Sequence, residues 1–234
     1  MGRTAALLAL VAALVTWYEL ASHVDEWSLW PSILLIALVL MPATFLVVWL
    51  ALPLATRPWP QLLGGIVVLL ALAVVFWHVD LPIPSSFCKL AAYALFGFLF
   101  LQAFQELSWV VLVAALIPLV DAYSVWRGPT NNITEHHAEV FSGVSVSFVV
   151  PGGSSAELGP PDVAFFGVFL AASVRFGLRP FWTWIGMTAG LSLTMICVVW
   201  WDLSGLPALP GISLGFLLAN ADLLWHRLRR HPAT

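Results

Sequence analysis

Charge is scarce in this sequence. Lys, Arg, Asp and Glu supply 9% of its 234 residues, where an ordinary soluble domain carries roughly a quarter. Hydrophobic residues supply 61%, and the mean hydropathy is +0.97. Too little polar surface remains to cover a water-soluble globule of that composition, which excludes a soluble enzyme and a disordered chain. Basic charge is scarcer still: nine Lys and Arg against twelve Asp and Glu leave a formal net charge of −3. That excludes a basic nucleic-acid surface. Cysteine is nearly absent. Cys88 and Cys197 both lie in apolar runs, where they read as small core residues and not as a disulfide or a metal site. Internal repeats and low-complexity tracts are absent too. What the chain has in quantity is long apolar runs, the mark of a polytopic membrane protein.

The runs predict an all-α polytopic membrane protein of about eight transmembrane helices, at about 4–22, 29–55, 60–79, 84–104, 107–126, 162–178, 181–201 and 207–226. Polar or helix-breaking residues separate them: His23, Asp25 and Glu26; Arg57, Pro58 and Pro60; Asp80, Pro82 and Pro84; Gln105 and Glu106; Arg179 and Pro180; Asp202, Ser204 and Gly205. Tryptophans such as Trp27, Trp59, Trp182 and Trp201 gather near these breaks, as interfacial anchors do. The first run has a basic residue and an Ala/Leu stretch like a signal peptide, but Trp17, Tyr18 and Glu19 stand where small cleavage-site residues belong. It is read as a retained helix.

The basic residues set an orientation. With the N-terminus inside, Arg3, Arg57, Arg175, Arg179, Arg227, Arg229 and Arg230 are cytoplasmic, and only Lys89 and Arg127 fall outside. Both termini are then inside. Eight Arg against one Lys, with abundant Ala, suits a GC-rich genome, and the expected location is a prokaryotic cytoplasmic membrane. One long connection, 127–161, is polar at first and then reads as a strand over 144–150, with β-branched and small polar residues alternating. Pro151, Gly152 and Gly153 end it.

Ionisable groups within a bilayer are costly and are functional candidates by default. Two carboxylates qualify: Asp121 in the second half of the fifth span, and Asp162 at the start of the sixth. Sequential spans can bring them face to face near the outer side of the membrane. Two carboxylates at close range share a proton, so one serves as base and the other as acid. That pair can activate a water against a peptide carbonyl and protonate the leaving nitrogen. The structural alternative is an interfacial Asp121 and an Asp162 favoured by its helix dipole. A third element opens the last span, Pro207-Ala208-Leu209-Pro210-Gly211. Its prolines leave backbone groups unpaired, which membranes tolerate only in protein or beside a wet cavity. Gly211 and Gly215 make a small-residue face for a close helix neighbour.

Together these elements resemble the GxGD aspartyl intramembrane proteases, the presenilin and signal peptide peptidase family. Asp121, Ala122, Ser124, Val125 and Trp126 match the pattern that follows the first catalytic Asp in archaeal relatives. Gly159 and Asp162 match the first Gly and the Asp of the GxGD motif, and Pro207, Ala208 and Leu209 match its PAL tripeptide. The resemblance covers about residues 107–226. It implies a catalytic pair of Asp121 and Asp162, with Gly159, Pro161, Pro207, Ala208 and Leu209 shaping the site and docking substrate. It implies no metal and no organic cofactor. The departures are Val120 for the Tyr before the first Asp, Pro161 for the Gly before the second, and eight spans where the family has nine. The Arg bias matches the signal peptide peptidase orientation, so the implied substrates are remnant signal peptides or single-span helices with an inside N-terminus. The strand at 144–150 is expected to pair with an unwound substrate.

Residues 1–106 then form an N-terminal four-helix part, 107–226 the catalytic-type part and 227–234 a basic cytoplasmic tail that favours anionic lipid. His136 and His137 are adjacent and share no helical face, so they are not read as a metal site. Asn132-Ile133-Thr134 fits a glycosylation triplet. Asp222, one turn before Arg227, is read as an ion-pair partner at the inner interface. Glu19 and Glu106 read as interfacial. Three alternatives stay open. A prepilin-peptidase-like GxGD protease is disfavoured by Val163-Ala164-Phe165 after the second Asp and by the presence of PAL. A catalytically silent scaffold or chaperone for transmembrane helices is kept open by Pro161. A transporter is disfavoured by the few intramembrane charges and the lack of paired broken helices.

Overall fold

The computed structural model describes residues 2–127, 138–152, 155–201 and 206–230. The readings placed on Asn132, Thr134, His136, His137 and Asp202 lie outside the described residues. The described chain is a helical bundle with one small hairpin. Helix α1 is Gly2–Ala21. The second apolar run is helical throughout: α2 (Leu29–Leu35), a π turn (Ile36–Leu40), α3 (Met41–Ala51) and a 3-10 end (Leu52–Thr56). Pro42, which cannot donate to the preceding turn, stands two residues after that π turn. The Ser192 hydroxyl donates to the Ala37 carbonyl within it.

Helices α4 (Trp59–His78) and α5 (Pro82–Leu101) form a tight pair, and α6 (Leu107–Arg127) follows. A short α7 (Ala138–Val144) leads into β1 (Val146–Val149), which pairs antiparallel with β2 (Ser155–Leu158), Val146 opposite Leu158. The strand expected over 144–150 is present over 146–149, with Val144 ending α7 instead, and its partner, Ser-Ala-Glu-Leu, has no β-branched residue to announce it. Then come α8 (Pro160–Arg175), α9 (Pro180–Trp200), α10 (Leu209–Ala219) and α11 (Ala221–Arg230).

Among the described residues six helical segments are long and apolar enough to cross a membrane: Gly2–Ala21, Leu29–Thr56, Trp59–His78, Pro82–Leu101, Leu107–Val125 and Pro180–Trp200. Large side chains such as Leu119, Leu193 and Leu218 lie exposed along the bundle (68%, 60% and 72%), as lipid contact allows and water does not. The chain is thus a membrane-embedded helical protein. Helix α8 has 16 residues and α10 has 11, both short of the roughly 20 needed to span. The run expected at 207–226 is broken at Asn220, a fully buried residue whose amide donates to Thr183 Oγ1 at 2.7 Å and to the Phe216 carbonyl at 2.9 Å.

Contacts sort the helix ends into two faces. At one, Arg3 reaches the carbonyls of Trp49 and Leu50, Gln102 the carbonyl of Arg57, Arg175 that of Leu101, and Arg227 those of Phe176 and Gly177. These bonds satisfy carbonyls orphaned at helix C-termini. Asp222 is on this face, paired with Arg179 at 2.7 Å rather than with Arg227. The opposite face carries the hairpin: Gly152 N donates to the Val24 carbonyl at 3.0 Å, and Ser147 N to Ser86 Oγ at 3.0 Å.

Helix α8 is the centre of the bundle. Val163, Phe166, Phe169, Leu170 and Ala172 are fully buried, with Phe166 stacked on Phe45 and Phe169 on Phe216 at centroid distances of 4.0 and 4.9 Å. Lipid tails are as apolar as the core, so helices associate in membranes through close packing and not through the hydrophobic effect. Glycine supplies that closeness at two crossings. Gly97 of α5 lies against the Ala164 backbone of α8. Gly186 and Gly190 of α9 lie against Gly215 and Gly211 of α10, which gives the small-residue face read from the sequence its partner.

Candidate active site

Asp121 and Asp162 reach the hairpin end of the bundle by different routes. Asp121 lies near the end of α6, three residues after Pro118, and is half-buried. Its Oδ2 accepts a hydrogen bond from the Leu209 backbone N–H at 3.0 Å. Leu209 is the first residue of α10, and Ala208 in the cap position has no side chain to offer the helix's orphan N–H groups. Asp121 supplies that acceptor from another helix, a carboxylate at the positive end of α10. The Pro207-Ala208-Leu209 segment and Asp121 are thereby joined, with Pro207 and Leu209 buried.

Asp162 is built locally. Gly159 caps α8, Pro160 and Pro161 fill its first two positions, and Asp162 is third. The Gly159 N–H donates to Asp162 Oδ2 at 3.2 Å, and the Asp162 N–H to the Gly159 carbonyl at 3.2 Å. Proline suits the first turn of a helix, where its missing N–H would have no intrahelical partner. Pro161 thus fits the helix start that it occupies, and its side chain is exposed. Gly159 is close-fitted: a Cβ there would stand 3.2 Å from Asp162 Oδ2.

The two carboxylates lie within electrostatic reach of each other. Helix α6 touches α8, and α10 touches both. Of the residues singled out in the sequence, the structure joins Asp121 with Ala208 and Leu209, and Asp162 with Gly159. Each Asp spends one oxygen on a helix N-terminus.

Beside this centre runs an apolar groove of about 900 Å³ between α9 and α10. Ala122 and Pro207 line one end and Arg179 the other, with Gly190, Gly211 and Leu214 between.

Sequence reasoning missed a second cluster. Lys89, which the orientation puts toward the outer side, is a buried residue of α5, 4% exposed. Its ammonium donates to the Ser142 and Gly143 carbonyls at 3.4 and 3.3 Å and lies 5.6 Å from the centre of the Trp77 ring. Tyr93 donates to the Val144 carbonyl at 2.6 Å. With Ser86, these residues form an i, i+3, i+7 polar stripe on one face of an apolar helix, the pattern that could have revealed them. Among the described residues no three His, Cys, Asp or Glu side chains gather as a metal site. Compared with models of known protein families and with curated proteins, the chain matches none.

Proposed function

We propose that the chain is an intramembrane aspartyl protease of the signal peptide peptidase kind, with Asp121 and Asp162 as its catalytic pair. The observation that carries this reading is the placement of two carboxylates within electrostatic reach of each other at one end of an apolar bundle, one of them hydrogen-bonded to the Pro207-Ala208-Leu209 segment. In the proposed reaction one carboxylate takes a proton from water as the oxygen attacks the peptide carbonyl carbon, and the other gives its proton to the carbonyl oxygen. Collapse of the resulting diol breaks the C–N bond, with a proton delivered to the leaving nitrogen. No metal or organic cofactor takes part in these steps.

In this reading the chain crosses a prokaryotic cytoplasmic membrane eight times with both termini inside. The Arg-rich face is cytoplasmic, and α8 and α10 are short spans. A span of 11 residues covers only about 16 Å, so α10 requires a locally thinned or water-filled site, as hydrolysis does. Substrates are remnant signal peptides or single-span helices whose N-terminus is inside.

Substrate pairing fits the outer edge of β2 better than β1. The Ser147 N–H is spent on Ser86, so the ladder to β2 uses Val146 and Phe148. Alternation along an antiparallel pair then turns the N–H groups of Ser155 and Glu157 outward. Ser155→Pro removes one outward donor at the start of an edge strand, where proline is tolerated. It is expected to slow cleavage about tenfold, the order of one lost hydrogen bond, with the hairpin intact by hydrogen exchange. An unchanged cleavage rate sinks the pairing idea.

The test of the function is cleavage by purified protein in detergent of a panel of single-span substrates with inside N-termini, beside Asp121→Ala and Asp162→Ala. Cleavage lost in both variants supports the reading. Cleavage that survives either variant overturns it. A second reading, a silent scaffold that binds transmembrane helices, is favoured by one observation: both carboxylates already cap helix N-termini. It expects capture of those helices without cleavage.

A further inference from the structure

We infer that Lys89 is a positioning residue that clamps the β1–β2 hairpin to α5 and so fixes where Asp162 stands. This rests on reading Asp162 as half of a catalytic pair. The last carbonyls of α7 are orphaned acceptors at a negative helix end. Lys89 meets those of Ser142 and Gly143, and Tyr93 meets that of Val144. From the other side the Ser145 hydroxyl shares its one proton between the Phe141 carbonyl and Glu157 Oε2, the latter at 2.8 Å, and Glu157 lies within electrostatic reach of Lys89. Glu157 is on β2, opposite Ser147 of β1. One ammonium therefore ties α5 to the end of α7, one residue before β1, with the Glu157 carboxylate of β2 in its field but not in contact. From Glu157 the chain runs through Leu158 and the Gly159 cap directly into the first turn of α8.

Lys89 has the means to act this way and no other visible task. It is buried, its partners are backbone carbonyls of the segment that precedes the hairpin, and the Trp77 face covers it. A buried cation of this kind is costly unless paired and hydrogen-bonded. The Ser142 and Gly143 carbonyls meet that cost only while the segment leading into the hairpin is docked on α5.

The experiment combines hydrogen exchange with cleavage kinetics on the full chain in detergent. Lys89→Met is expected to speed exchange of the amides at 146–149 and 155–158 at least about tenfold. It is also expected to lower kcat by up to about a hundredfold with little change in KM, the effect of a small misplacement of a reacting group. Lys89→Arg, which keeps the charge, is expected to restore both. Glu157→Gln is the second variant, should Lys89→Met not fold, and is expected to move both readouts in the same direction by less. Unchanged exchange in folded Lys89→Met overturns the clamp. Faster exchange with unchanged kcat overturns the positioning role. If the wild type cleaves nothing, the protease reading falls, and the exchange data alone decide whether Lys89 holds the hairpin.

Discussion

Asp121→Asn and Asp162→Asn are each expected to lower the cleavage rate about a hundred- to ten-thousandfold, the range of a lost general acid or base, and to leave the fold in place. The amide of Asn keeps an oxygen where each carboxylate now accepts a backbone N–H, from Leu209 at 3.0 Å and from Gly159 at 3.2 Å. It cannot take up or give a proton as a carboxyl group does. The Asn variants therefore separate the two tasks that each Asp combines. Alanine does not. Asp121→Ala strands the Leu209 N–H at the start of α10, a loss of about 1–3 kcal/mol, and Asp162→Ala removes the reciprocal cap of α8, worth about 1 kcal/mol. Thermal unfolding in detergent is expected to place both Ala variants below wild type and both Asn variants beside it. Cleavage is expected to be lost in all four. Asn variants that cleave as wild type does would remove the carboxylates from the chemistry, leave them as helix caps and overturn the aspartyl mechanism.

The parts of the site legible in the sequence are those whose chemistry contrasts with an apolar background. Asp121 and Asp162 stand out because carboxylates are rare in such runs. Pro207 and Pro210 stand out because proline marks a helix start. The bond between these two elements was not legible. Nothing in the segment around Ala208 says that its missing cap comes from α6, 88 residues earlier. The strand at β1 was visible from alternation, whereas β2 takes its conformation from its partner. The burial of Lys89 was not legible because orientation rules weigh where a cation lies along the chain, not what faces it. Asp222 was assigned to a neighbour on its own helix, while Arg179 reaches it across 43 residues. The segments at 162–178 and 207–226 were recognised as apolar, but their helical ends depend on Gly177 in the left-handed region and on buried Asn220. The Asp121 cap, the Lys89 cluster and the Asp222 pair were missed because each is a contact between distant parts of the chain.

The glycines make the same point with larger consequences, and they yield the second prediction. Gly64, Gly65 and Gly97 all sit in apolar helices and look alike in the sequence. A Cβ at Gly64 would meet nothing within 4 Å, and one at Gly65 would meet only Leu95 Cδ1 at 3.1 Å, the end of a flexible side chain. A Cβ at Gly97 would run into the Ala164 carbonyl oxygen and come within 3.0 Å of Val168 N, both backbone atoms of α8. Side chains can rotate away, but a helix backbone can yield only as a whole. Gly64→Ala is therefore expected to unfold within about 0.5 kcal/mol of wild type, and Gly65→Ala slightly below it. Gly97→Val is expected to lose more than about 4 kcal/mol, beyond the usual range for overpacking because the clash is with main chain. Purification yield and thermal unfolding in detergent give the order. The milder Gly97→Ala is expected to lose cleavage out of proportion to stability, since the helix pushed aside carries Asp162. A Gly97→Val protein that unfolds where wild type does would mean that α5 does not hold α8. The stacks of Phe166 on Phe45 and Phe169 on Phe216 would then have to fix that helix from its other sides.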